Sequence, residues 1–209
     1  MVYLIMGNVK KRLTHRQRQA LATRKLIIDA ARDLFLEQGY VATTIEAIST
    51  QAGVAVSTVY AVFGSKRGIL QAIREVWHEE SGQRDIYKLA SEQPDPARRL
   101  ELAAHATRRQ WETSASMINI YRGAAIADHE AATELELALQ GRRHHLDNFI
   151  HEMSVVLRPG LHTERAVDIF FALTLPEVYE DLVGKRGWSP DEYEVWLAEA
   201  LKQQLLPLS

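Results

Sequence analysis

The stretch GVAVSTVYAVFGSK, residues 53–66, sets a turn glycine, a short run carrying three hydroxyl side chains, and a lysine within a single short segment. The run from Val56 to Phe63 has the period of a helix. With Val59 turned inward and about 100° per residue, Ala55, Val56, Val62 and Phe63 fall on the inner side. Ser57, Tyr60, Ala61 and Gly64 then point outward, with Thr58 on the flank. The inner face is apolar, and the outer face has neither an acid nor a bulky aliphatic residue. Such a helix packs by one side and presents hydroxyls on the other.

The preceding residues complete a pair. Over 23–38, Ile27, Ala31, Leu34 and Phe35 recur at spacings of three and four, and Gly39 stands where that helix stops. Thr43 is placed to cap the next helix, with Glu46 three residues on reaching back to the cap amide as a capping box. Ile45, Ile48 and Ala52 share the face that follows, and Gly53 supplies the turn. Two short helices joined by a tight glycine turn form a helix-turn-helix, whose second helix enters the major groove of DNA.

The segment RKLIIDAARDLFLEQGYVATTIEAISTQAGVAVSTVYAVFGSK, residues 24–66, resembles the DNA-binding domain of the TetR family of bacterial transcriptional regulators. The likeness lies in the small apolar core of the first helix, the GY turn, the paired threonines, AGV, and the TVYxxFxSK ending. It implies an all-α homodimer with three N-terminal helices for DNA and a larger helical domain for a small-molecule effector and for the partner subunit. It also implies a repressor released from operator DNA by that effector. The chain departs from the family pattern at Val56, where Lys, Arg or Gln is frequent, at Ala55, where a capping serine is frequent, and at Ser49, where alanine is usual. The missing cap costs the recognition helix about 1 kcal/mol.

The DNA contacts expected from these residues divide by chemistry. Hydroxyls of Thr44, Ser57 and Thr58 donate to phosphate oxygens, Tyr60 does so from a longer arm, and Lys66 adds a charge-assisted contact. Ser57, Thr58 and the Ala61 methyl are the side chains that reach base edges, and Val56 offers a base only apolar contact.

A nearly neutral total charge conceals a division along the chain. Residues 1–70 carry 10 Lys or Arg against 4 Asp or Glu, whereas residues 71–209 carry 15 against 23. Lys10, Lys11, Arg12, Arg16, Arg18, Arg24 and Lys25 follow one another without an acid, a run that attracts a polyanion. The expected organisation is a disordered basic arm over 1–19, able to follow the minor groove, a helix-turn-helix domain over 20–68, and an effector and dimerisation domain over 69–209. The first residues, apolar before basic, are the reverse of a secretory signal and are expected to be an extension or to precede a start at Met6. No apolar run approaches the roughly 20 residues that cross a bilayer, so no membrane partner and a cytoplasmic location are expected. The absence of cysteine removes disulfides, thiolate metal sites and cysteine nucleophiles.

Beyond Ser65 the periodicity stays helical, with helices expected over 66–90, 96–114, 116–127, 130–157, 163–184 and 190–206 and a kink at Pro176. The helix from Thr163 is apolar on more than one face. Phe171, Leu175, Val178 and Leu182 are therefore expected at a four-helix dimer interface with Tyr193, Trp196, Leu197 and Leu201 of the last helix. The resemblance implies a ligand cavity among the central helices, with Trp111, Met117, Tyr121 and Phe149 as its apolar lining and His105, Arg108 and Arg122 as polar contacts. His144 and His145 point about 100° apart on a helix and His151 is also misaligned, so no metal site is expected. No cofactor is implied, and no nucleophile elbow or phosphate-cradling glycine loop marks an enzyme. The competing readings are an activator of the same family that uses no small ligand, and a helical enzyme or binding module that retains the helix-turn-helix as scaffold.

Overall fold

A computed structural model describes residues 14–207, which are helical throughout apart from short connections. Helix α1, His15–Ala42, starts earlier than its apolar period because Thr14 makes a capping box with Gln17. The Thr14 hydroxyl accepts from the Gln17 amide at 3.2 Å, and the Gln17 side chain accepts from the Thr14 amide at 2.8 Å. Arg16 and Arg18 thus stand on a helix rather than in an arm, while Lys10, Lys11 and Arg12 lie outside the described residues. Helical dihedrals break at Gly39, the expected stop, before the last turn closes.

Helix α2, Ile45–Ala52, is capped by Thr44, not Thr43: the Thr44 hydroxyl accepts from the Ala47 amide at 3.1 Å. Thr43 is instead buried, its hydroxyl donating to the Gly39 carbonyl at 2.8 Å, which satisfies an end carbonyl of α1. Ala47 then occupies the third helical position, so Glu46 forms no capping box. Gly53, at φ 66°, is left-handed and closes the turn into α3, Val56–Phe63. Ala55 precedes α3 without a side-chain cap, as expected. The inner face of α3 is narrower than its sequence suggests. Val59 is buried, Val56 and Phe63 are half-buried, and Ala55 and Val62 are exposed.

The expected 66–90 helix is two helices, α4, Lys66–Ser81, and α5, Gln83–Ser91, because Gly82 at φ 62° takes a left-handed conformation that ends α4. The opposite correction holds next. Helix α6 runs unbroken over Pro96–Ala127, and within it the Thr113 hydroxyl bonds back to the Arg109 carbonyl at 2.9 Å instead of breaking the turn. Helix α7, His129–His151, is capped by Asp128, whose carboxylate accepts from the Glu130 and Ala131 amides. The 163–184 helix is broken rather than kinked. Helix α8, Thr163–Leu173, stops short of Pro176, which opens α9, Pro176–Tyr179, and α9 widens into a π-helical stretch, Glu180–Lys185. Helix α10, Pro190–Leu205, begins with a capping box between Ser189 and Glu192.

Two apolar cores result. The first joins Ile27, Phe35, Ile48 and Val59 to Ile69, Ile73 and Trp77 of α4 and to Met117, Tyr121 and Ala131 of α6 and α7. The second packs α5, α6, α7, α8 and α10 around Leu100, Phe149, Phe170, Tyr193 and Leu201. The mount of α3 is therefore continuous with the helices that follow it.

Candidate DNA-binding face and ligand cavity

The outward side of α3 is what its sequence period describes. Ser57, Tyr60 and Ala61 are exposed, Tyr60 by half of its surface, with Val56 and Thr58 half-buried beside them. Thr44 is exposed at the start of α2; its oxygen accepts from an amide, which leaves its O–H free to donate. The start of α3 has no side-chain cap, so it adds backbone amide donors at that end of the helix. One short exposed surface thus collects hydroxyl and amide donors with no carboxylate except Glu46.

Lys66 is not part of that surface. Its ammonium donates to the carbonyl oxygens of Tyr40 at 2.7 Å and Thr43 at 2.8 Å, and lies 4.3 Å from the centroid of the Tyr40 ring. Burial lowers its pKa. An ammonium with these donors engaged braces the end of α1 against the start of α4, which corrects the expectation of a phosphate contact. The sequence gives no warning, because the lysine meets carbonyls 23 and 26 residues away.

Helix α4 carries this mount inward. Gly68 has no room for a side chain, since an added Cβ would lie 2.0 Å from the Phe63 carbonyl oxygen at the end of α3. On the adjoining side, Arg67 pairs with Glu130 and with Glu134 of α7, and Gln71 donates to the same Glu134. Farther along, Arg74, Trp77 and Ser81 reach a cavity of about 330 Å³ between α4, α6, α7 and the break before α9.

Four of the expected effector residues, Trp111, Met117, Tyr121 and Arg122, line this cavity. His105, Arg108 and Phe149 do not. His105 Nδ1 lies 2.9 Å from Glu194, and Arg108 pairs with Glu112, Asp191 and Glu194, so both tie α6 to α10 or to its own next turn. Phe149 is buried edge to face with Tyr87, with Arg99 over its ring. Two residues expected at a dimer interface, Phe171 at the end of α8 and Leu175 just after it, line the cavity instead. Of the others, Tyr193, Leu197 and Leu201 are fully buried against their own chain and have no surface to offer a partner, whereas Val178, Leu182 and Trp196 stay half-exposed.

Arg142 went unnoticed in the sequence. It reaches the cavity from α7 with its guanidinium between Trp111 and Phe171 and donates to the carbonyl and hydroxyl oxygens of Thr174 at 2.6 and 2.8 Å. Trp111 donates to the same carbonyl at 3.0 Å. The signal that could have marked Arg142 is a basic residue on the apolar side of an amphipathic helix. The RRHH run hides it, since the neighbouring Arg143, His144 and His145 are exposed. Among the described residues no cluster of His, Asp or Glu is disposed to hold a metal ion, and none of their helices is long and apolar enough to cross a membrane.

Residues 27–73 match the family of bacterial regulatory proteins described as the tetR family. A Bacillus subtilis protein described as the uncharacterized HTH-type transcriptional regulator YvkB is 33% identical over 72 residues. That alignment takes in 32% of this chain and spans 38% of the length of the relative. The fold is shared far more widely. The structure of NalD, described as the secondary repressor of the MexAB-OprM multidrug efflux pump in Pseudomonas aeruginosa, superposes with a TM-score of 0.70 at 24% identity, over 90% of this chain and 98% of that one. A complex of SmeT with triclosan gives a TM-score of 0.72 at 22% identity, over 88% and 92% of the two chains.

Proposed function

We propose that the chain is a homodimeric transcriptional repressor released from operator DNA by a small molecule, a reading supported by the match of residues 27–73 to the tetR family of bacterial regulatory proteins and by a fold shared with NalD and SmeT. The observation that carries the reading is α4, which braces the recognition helix at one end and lines the apolar cavity at the other. In this reading Thr44, Ser57, Thr58 and Tyr60 position the protein on phosphates, and Val56, Ser57, Thr58 and Ala61 meet base edges. The effector sits among Trp111, Met117, Tyr121 and Arg122, with Phe171 and Leu175 added to its walls. The partner subunit meets α8 to α10 through half-exposed residues such as Val178, Leu182 and Trp196.

The likeness to a described repressor and to a ligand complex supports this reading over an activator without a ligand, and the exposed hydroxyl face of α3 supports it over a scaffold that has ceased to bind DNA. The test is a mobility-shift assay with DNA flanking the protein's own gene. A saturable, salt-sensitive shift is expected, and none at any protein concentration up to the micromolar range would overturn the DNA-binding assignment.

A further inference from the structure

Three arginines and one glutamate line the cavity, and the glutamate is engaged: Glu177 pairs with Arg122. Arg142 is placed differently. Its guanidinium carbon is 4.9 Å from the centroid of Phe171 and 5.4 Å from that of Trp111, so aromatic faces hold the group. One nitrogen, Nη2, donates to both oxygens of Thr174, which are neutral, and among the described residues these are its hydrogen-bond acceptors. Nε is closed to solvent and has no partner among the described residues.

A guanidinium kept from water and facing neutral oxygens is costly. The carbonyl end of α8 supplies a partial negative charge, which offsets part of that cost and fixes one corner of the group. The rest calls for an anion. With its faces covered, Nη2 engaged and Nε closed in, Nη1 is the nitrogen left to give, and a carboxylate oxygen accepts from it through a charge-assisted hydrogen bond. Beside the polar Arg74, Ser81 and Gln110, most of the remaining lining, including Trp77, Leu135, Leu139 and Leu175, is apolar, and the volume of about 330 Å³ suits a small organic molecule.

We propose that the ligand of this cavity is an apolar molecule ending in a carboxylate, which accepts from Nη1 of Arg142, with its hydrocarbon body against Trp77, Leu135 and Leu139. This rests on the cavity being the effector site, and it adds the chemical class of the effector.

The test is calorimetric titration of the full chain with octanoate and with 1-octanol, which share a chain length and differ in charge. Octanoate is expected to bind at least about tenfold tighter at neutral pH, the scale of one charge-assisted hydrogen bond. Arg142→Gln brings the octanoate-to-octanol affinity ratio to within about threefold of one, and Arg142→Lys retains part of the preference. Helical circular dichroism and melting of each variant report its folding, and the wild-type comparison stands alone should Arg142→Gln not fold. Equal wild-type affinities would overturn the acid group and leave the cavity as a site for neutral apolar ligands. A preference that survives Arg142→Gln in a folded variant would place the anion elsewhere and also overturn the proposal. If neither compound binds, the cavity reading falls together with it.

Discussion

The ammonium of Lys66 lies 2.7 Å from the carbonyl oxygen of Tyr40 and 4.3 Å over the ring of the same residue, so the first residue of α4 closes the last turn of α1. A second bond, to Thr43 at 2.8 Å, extends the closure to the connection before α2. The end of α1 and its connection to α2 are thus held at one point by a side chain from α4. Burial, with the nearby Asp128 adding to it, pushes the Tyr40 phenol up to about 12, which keeps it neutral in the physiological range.

Lys66→Ala removes the donors and leaves carbonyls of Tyr40 and Thr43 without their partner. The expected loss is about 1 to 3 kcal/mol of stability, seen as a lower melting temperature in thermal denaturation. An unchanged melting temperature would show that water or another side chain replaces the ammonium without cost.

Tyr60→Ala tests the opposite kind of residue. The side chain is half-exposed on α3, so its removal should leave melting within about 0.5 kcal/mol of the parent. DNA affinity should fall about fivefold to tenfold, the value of one phosphate hydrogen bond, at constant salt in a mobility-shift titration. Unaltered affinity would remove Tyr60 from the interface.

Local chemistry was legible in the sequence wherever it depended on residues within a turn or two. The span of α3, the uncapped Ala55 and the Gly53 turn all follow from near neighbours, whereas Pro176, expected as a kink, starts a new helix. Failures occur where distant groups decide. Thr43 cedes the cap to Thr44 because it is buried against the end of α1, and Lys66 turns inward because carbonyls 23 and 26 residues away need a donor. Periodicity shows that Phe171, Leu175, Tyr193 and Leu201 lie on apolar faces but cannot say against what, so the half-buried first two became cavity wall and the buried last two became core. Arg142 was missed for a related reason: its worth lies in Trp111, Phe171 and Thr174 converging on it from other helices.

The half-exposed residues that remain for a partner subunit lead to a third expectation. Val195, exposed by 65%, adjoins Trp196 on α10, and Trp196 stacks edge to face on Trp188. Val195→Glu should leave the helical fold intact and shift the protein from dimer to monomer in light scattering, since a carboxylate buried in an apolar interface has no partner. A variant that remains dimeric would move the interface away from this side of α10.

His145 gives a pH dependence. Much of the residue is exposed, but its ring lies edge to face on Tyr87 at 4.7 Å, and this partial burial of the ring, with Arg142, Arg84 and His144 nearby, holds its pKa below the ordinary 6.5, against an opposing pull from Glu152. The unfolded chain therefore takes up this proton more readily than the folded one. Stability is complete above pH 6.5 and falls as pH drops through 6.5 toward the folded-state value. His145→Gln should flatten that part of the pH–melting profile, and an identical profile would show that other groups set it.

The last expectation concerns how the cavity reaches the DNA. Helix α4 has 16 residues, which makes it about 24 Å long, and spans from Lys66 at the end of α1 to Trp77 and Ser81 at the cavity. A ligand that wedges Trp77 must move the same rigid body that holds Gly68 against the carbonyl end of α3. In a symmetric dimer two recognition helices must match successive major grooves, about 34 to 36 Å apart, so a tilt of a few ångströms misaligns one when the other is docked. If the ligand favours the misaligned arrangement, linkage requires that operator DNA weaken ligand binding by the same factor, typically about 5 to 150-fold. Arg67 supplies the control. Its pairs with Glu130 and Glu134 tie α4 to α7, which also lines the cavity, so Arg67→Ala should reduce the coupling factor while leaving ligand affinity without DNA nearly unchanged. Ligand affinity measured calorimetrically with and without operator gives the coupling in both proteins. Equal affinities in the parent would exclude induction through α4, and equal coupling in parent and variant would assign transmission to α4 alone.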